Sequence, residues 1–174
     1  MRTPVGIAGA PPISEPVMVH PVNAGYFDAM GIRISQGRTF TETDINNVQP
    51  VALVNERFVA TRLADREPLG QTVRIPATRQ PPFSAKNDAF QIVGVVHDTL
   101  NRGLDETVMP EVYVPYTLAG IVNLVAVRTQ MDPVSMRRSI IAQVYAIDKN
   151  QPVTEVKPVD VLLREYEYAT PRFN

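Results

Sequence analysis

Proline punctuates this chain so often that no long helix can run through most of it. The 16 prolines cluster at Pro11-Pro12, Pro76, Pro81-Pro82 and from Pro110 to Pro115, and these clusters separate apolar stretches. A proline fixes φ and removes a backbone donor, so it suits strand ends and turns and breaks helix interiors. The spacing predicts short strands joined by loops and helical turns, a loop-rich α+β chain. With 174 residues, 44% of them hydrophobic, there is material for one compact domain or two small interlocked ones.

Between the prolines, VMVHPV at 17–22, IRISQG at 32–37, VALVN at 51–55, TVRIP at 72–76, FQIVGVV at 90–96 and EVYVPY at 111–116 read as strands. NAGYFDAM forms a short helical turn that Gly31 can end in the left-handed conformation. ERFVATRL continues the 51–55 strand into a helix, with Phe58, Val59 and Leu63 on one side and Arg57 and Arg62 on the other. ATRQPPFSAKND reads as a hairpin-like or mobile connection. In the C-terminal third NLVAVRT reads as a strand, Asp132 as an N-cap and Pro133 as the first helical residue. Met136, Ile140, Val144 and Ile147 then share one helix face, and VTEVK forms a closing strand. Both ends thus carry a strand–helix–strand unit, and a strand-rich middle joins them. The expectation is two α+β subdomains, the outer one discontinuous in sequence.

Several function classes are disfavoured by composition. Lys and Arg number 17 against 18 Asp and Glu, a net charge of -1, so nothing selects for nucleic acid. Without cysteine there is no disulfide, thiolate nucleophile or Cys-based metal site. LAGIVNLVAV at 118–127 is too short to span a bilayer and contains Asn123, so the chain as given reads as soluble. Its start, MRTPVGIAGAPPISEP, has no signal-peptide pattern and reads as a linker. G-x-S-x-G and the P-loop motif do not occur, so any ATP-derived energy must come from another chain or domain.

The candidate chemistry is sparse. His97-Asp98, with Asn101 nearby, resembles an acid/base pair at a strand end, but neighbouring strand residues point to opposite faces. His20 lies inside a strand. In TETD at 41–44, Glu42 and Asp44 could offer carboxylates to a metal, though a solvated turn explains them better. Arg33, Arg38, Arg57, Arg62, Arg66, Arg137 and Arg138 could form an anion site, against which the interspersed acids favour solvated faces. Tyr26, Phe27 and Met30 fall at helical spacing and read as core. Tyr166, Tyr168, Arg172 and Phe173 in the tail suit a membrane interface or an ordinary exposed helix end.

Taken in order, PVNAGYFDAMGIRISQGRTF, VALVNERFV, EPLGQTVRI, FQIVGVVHD, EVYVPY, LVAVRT with the following Asp132-Pro133 helix, and TPRFN resemble the MacB-like periplasmic core domain. That domain is the extracytoplasmic part of FtsX-like ABC transporter permeases. The YF-x-x-MGI-x-x-x-x-GR-x-F run is similar to the duplicated orphan permease group. The resemblance is collinear from about Val17 onward, which makes it more specific than any single motif.

The resemblance implies a two-lobed α+β fold. Residues 17–44 and 120–168 would form a discontinuous porter-like subdomain of strand–helix–strand units, and 45–119 an inserted, strand-rich, sabre-like subdomain. Residues 1–16 would be a linker and 169–174 a membrane-proximal tail. It further implies a non-enzymatic, periplasmic role at the bacterial inner membrane, with no catalytic, cofactor-binding or metal residues. Export or transmembrane signalling would be driven by ATP. The implied partners are an ABC ATPase subunit or domain, a second permease protomer and a periplasmic adaptor, with no nucleic acid. The competing reading is a free-standing periplasmic ligand-binding module, resting on the proline-rich 76–82 connection and the aromatic content of EVYVPY.

Overall fold

A computed structural model of the chain describes residues 1–9, 15–63, 66–99, 108–119, 124–162 and 165. Its centre is an eight-stranded mixed sheet. The strands are β1 (Arg2–Thr3), β2 (Gly6–Ile7), β3 (Val17–Val22), β4 (Ile34–Gly37), β5 (Val51–Asn55), β6 (Thr72–Arg74), β7 (Ala89–Val96) and β8 (Glu111–Pro115). They lie in the order β1-β3-β8-β5-β7-β6-β2, with β4 also paired to β7. β3 runs parallel to β8 and β5 parallel to β7, and the remaining pairs are antiparallel.

β5 and β8 are buried along their whole length, because both faces of the sheet are covered. Strand alternation sends Val112 and Val114 to one apolar layer, with Val17, Val19, Val54 and Phe58, and sends Tyr113 to the other, with Val22, Phe27, Phe40 and Leu53. Ile92 and Val95 of β7 nonetheless share a layer. The register against β5 slips there, Ala52 facing Ile92 and Leu53 facing Gly94, so Val93 is an extra residue that resets the alternation.

Two glycines of this sheet are dictated by space. Gly37 has φ +72°, and a Cβ on it would stand 2.3 Å from the Val93 carbonyl oxygen. A Cβ on its partner Gly94 would stand 2.3 Å from the Arg38 carbonyl oxygen. β4 can therefore lie on β7 only if neither position has a side chain.

Short helices flank the sheet. α1 (Tyr26–Met30) ends at Gly31, whose φ of 70° and backbone N–H close the turn on Asp28 and Phe27. α2 (Glu42–Asn46) starts from a reciprocal Thr41/Asp44 capping box. α3 (Glu56–Phe58) runs into a wider helical turn, Val59–Leu63, which replaces the single regular helix expected from ERFVATRL. α4 (Pro133–Ile147) carries the expected Asp132 cap and N-terminal proline.

The structure departs from the sequence reading in four places. Residues 1–16, expected as a linker, contribute β1 and β2, because Val5 and Ile7 have a core to enter. Residues 17–44, grouped from sequence with 120–168, hydrogen-bond instead within the sheet of 45–119, β3 onto β8 and β4 onto β7. Among the described residues no strand forms in 124–129 or 153–157. On the helices Met30 and Ile147 point into solvent, Ile147 being 89% exposed. The chain divides into two compact units, one of Met1–Asn101 with Thr107–Ala126, the other of Arg102–Glu106 with Val127–Asn174.

Candidate functional site

Polar side chains concentrate where β5 and β7 end and β8 begins. Asn55 organises that edge. Fully buried, its Oδ1 accepts from the backbone N–H of Phe58 and of Glu111, both at 2.9 Å, and its Nδ2 donates to the Met109 carbonyl at 2.9 Å. One amide thus caps α3 and fixes the start of β8. The signal was in the sequence, an Asn closing an apolar strand just before E-R-F. Its second role, holding a chain 54 residues away at Met109, was not.

With α3 so placed, Glu56 and Arg57 face the residues that follow β7. His97 Nδ1 lies 3.1 Å from Glu56 Oε1, and both side chains are about half exposed. Asp98 Oδ1 accepts the Arg57 backbone N–H at 2.8 Å. Each member of the His97-Asp98 pair, both beyond the end of β7, therefore has a different partner. Asp98 acts as an external cap for α3, leaving His97 without the carboxylate that the sequence placed beside it. Asn101 lies outside the described residues.

The other histidine meets a buried carboxylate. Glu111, 5% exposed, accepts the Tyr113 hydroxyl on Oε2 at 2.5 Å, and its Oε1 faces His20 Nε2 at 3.5 Å. The His20 ring stacks on Tyr113 with centroids 5.2 Å apart. Phe27 meets Tyr113 edge-on at 5.1 Å, and Tyr26 lies 6.1 Å from it. Burial, and then the Glu111 charge, hold the Tyr113 hydroxyl well above its ordinary pKa. Tyr26 is raised by the same two causes. The Tyr113 phenol donates to Glu111 and neither phenol is a base at neutral pH, so the cluster fastens β3, β8 and α1 together. The sequence reading missed Glu111 because it heads an otherwise apolar strand. Tyr26 and Phe27 pack as expected.

The remaining candidates resolve into structural pairs. Arg38 bridges to Asp44 at 2.6 Å, and Asp44 also accepts from the Thr41 backbone and hydroxyl at 2.9 Å. TETD is thus a helix start with a buried carboxylate, and the solvated turn expected there does not occur. Arg62 reaches Glu15 at 3.1 Å, whereas Arg33, Arg57, Arg66, Arg137 and Arg138 are exposed. Among the described residues no three His, Cys, Asp or Glu side chains gather as a metal group would need. The 76–82 connection is pinned down: Pro76–Arg79 is a 3₁₀ turn, Thr78 is buried with its hydroxyl on the Ile75 carbonyl, and Phe83 enters the core. The apolar and aromatic side chains of β8 are likewise committed to the core. Tyr166, Tyr168, Arg172 and Phe173 lie outside the described residues.

What this edge offers is fastening, a sheet locked by Asn55, Glu111 and two glycines that cannot be substituted without displacing backbone. The sequence matches the MacB-like periplasmic core domain over residues 3–155. This chain belongs to that family. Among curated proteins, the macrolide export ATP-binding/permease protein MacB of Aggregatibacter actinomycetemcomitans is 30% identical over 92 residues, 53% of this chain. MacB 1/2 of Paracoccus denitrificans (strain Pd 1222) is 29% identical over 96 residues, 55% of this chain. The match spans 13% of the length of each of those proteins.

Solved structures share the fold of this MacB-like domain. The periplasmic region of MacB from Actinobacillus actinomycetemcomitans superposes with a TM-score of 0.64 at 17% identity, covering 98% of this chain and 74% of that one. The extracellular domain of the noncanonic ABC-type transporter YknZ from Gram-positive bacteria gives 0.57 at 16% identity, covering 87% and 73%. A domain of a putative permease protein from Porphyromonas gingivalis gives 0.51 at 14%, covering 92% and 77%. The relatives are domains of transporter permeases. No described helix is long and apolar enough to cross a membrane.

Proposed function

We propose that this domain is the non-catalytic, extracytoplasmic part of an ABC-type permease, relaying ATP-driven movement through membrane helices to export or conformational signalling at the periplasmic face. The observation that carries the reading is the family match over residues 3–155, with curated relatives named as macrolide export ATP-binding/permease proteins. The physical character of the sheet supports it. A relay needs an element that moves as a body, and the buried hydrogen bonds of Asn55 and Glu111 with the β4–β7 contact hold this one together.

In this reading the ATPase is a separate subunit or domain, consistent with a sequence that carries no P-loop. A second permease protomer and a periplasmic adaptor are its further partners, and the inner membrane its location. The porter-like and sabre-like lobes belong to the proposal as well.

The test is export by the permease with its ATPase in sealed vesicles, with ATP hydrolysis read in parallel. Gly94→Val in this domain should abolish export and leave basal ATP hydrolysis in place. Export at the unsubstituted rate, with the domain shown to be unfolded by proteolysis, would overturn the reading.

A further inference from the structure

Asn55, Glu56 and Arg57 follow one another at the end of β5, and between them they hold both ends of one connection. β5 lies between β8 and β7, parallel to β7 and antiparallel to β8, so the ends of β5 and β7 and the start of β8 meet at one edge of the sheet. Asn55 faces Val96 in that register, and Val54 faces Val112. The chain that joins β7 to β8, residues 97–110, therefore leaves on one side of Asn55 and returns on the other.

The two ends are gripped by different members of the trio. At the β7 end, Asp98 Oδ1 accepts the Arg57 backbone N–H at 2.8 Å, and His97 Nδ1 lies 3.1 Å from Glu56 Oε1. At the β8 end, Asn55 Nδ2 donates to the Met109 carbonyl and its Oδ1 accepts the Glu111 N–H, both at 2.9 Å. The same Oδ1 accepts the Phe58 N–H at 2.9 Å, and Phe58 is 1% exposed in the core. These bonds depend on one another through the backbone. Arg57 presents its N–H to Asp98 only while the first turn of α3 holds, and Asn55 is the cap of that turn. Fraying from the Asp98 side in turn removes a partner from the oxygen that also holds Glu111. A buried amide with unmet bonds carries a desolvation penalty, so release of one end alone is disfavoured.

We propose that Asn55, Glu56 and Arg57 form a clasp that makes α3 and both ends of the 97–110 connection one cooperative unit, opening as a whole and more easily than the sheet unfolds. The proposal rests on the permease reading only for its use, in which a relay moves this connection and the end of β5 together.

Amide exchange of the 174-residue chain, followed by NMR at increasing urea concentrations below the unfolding transition, reads the opening directly. The Arg57, Phe58 and Glu111 amides should share one opening free energy and one urea dependence, both smaller than those of the central β5 amides. Asp98→Ala should speed exchange at Glu111 by the same factor as at Arg57, roughly 5-fold for one lost helix cap, although Asp98 bonds at the β7 end. Asp98→Asn keeps an acceptor oxygen and should restore both. Separate opening free energies for Arg57 and Glu111, a Glu111 amide that opens only with those of β5, acceleration confined to Arg57, or no rescue by asparagine each overturns the proposal. Should Asp98→Ala fail to fold, the urea dependence in the unsubstituted chain decides alone. Export plays no part in this measurement, so the clasp and the permease reading can fail separately.

Discussion

The sheet unit and the α4 unit of this chain use similar apolar material to opposite effect. In the first, strands as short as β1 and β2 are recruited, and Phe27, Leu53, Phe58, Tyr113 and Val114 are 0% or 1% exposed. In the second, a well-capped 15-residue helix buries none of its side chains. The difference teaches that a local start signal and a place in a core are separate properties. Asp132 and Pro133 specify where α4 begins without supplying anything for it to pack on.

The comparison is broken most strongly by emptying the sheet unit. Phe27 touches Tyr26, Phe40 and Tyr113 within 6.3 Å and is fully buried. Phe27→Ala should cost about 4 kcal/mol, a cavity among rings that cannot collapse onto one another. Urea unfolding followed by far-UV circular dichroism would show the loss, and a cost under about 1 kcal/mol would mean that the aromatic cluster is not the core of this unit.

Next comes the β4–β7 contact. Gly37→Ala, at a φ of +72°, places a Cβ 2.3 Å from a backbone oxygen, a contact that a rotamer change cannot relieve. The strands must part, at about 3 kcal/mol. Gly70→Ala is the control, since its φ of +82° is just as unfavourable for a side chain but nothing stands within 4 Å of the added atom. It should cost about 1 kcal/mol, the conformational part alone. Equal losses at the two positions would remove the steric argument.

Much of the sheet unit was legible from residues alone. VMVHPV, VALVN, FQIVGVV and EVYVPY carry enough β-branched and apolar residues to be strands in any context, and Gly31 ends its helix in the left-handed conformation, as its position suggested. β1 and β2 were illegible, because two-residue strands in a Pro- and Gly-rich stretch have no period of their own and exist only through Val17 and Val73 across the ladder. NLVAVRT and VTEVK show the reverse failure. Their composition favours a strand, but among the described residues 124–129 and 153–157 take no strand conformation. At the polar edge, His97 and Asp98 lie beyond β7, so their separation is not the work of strand alternation. The Glu56 and Arg57 contacts that each makes instead depend on β5 and β7 being parallel neighbours, which no local pattern reports.

A smaller effect tests the electrostatics of the sheet unit. Burial alone would raise the Asp44 carboxyl, but hydrogen bonds from Arg38 and Thr41 outweigh it and leave its pKa below the ordinary 3.8. Because the folded-state value is depressed, the unfolded chain takes up protons first as the solution is acidified. The stabilisation is therefore complete well above pH 3.8 and is lost as pH falls through the folded-state value. Arg38 is 48% exposed, which limits the contribution to about 1 kcal/mol. Asp44→Asn should flatten the stability profile in that acid window, and an unchanged profile would assign the acid sensitivity to other carboxylates.

The smallest expected effect is the sharpest test of the contrast. Ile147 is 89% exposed at the end of α4, so Ile147→Ala removes atoms that water already surrounds, and it substitutes a better helix former. In this 174-residue chain the change should stay within about 0.5 kcal/mol, as surface substitutions do. Ile92→Ala, the same change at a residue 1% exposed in β7, should cost about 3 kcal/mol.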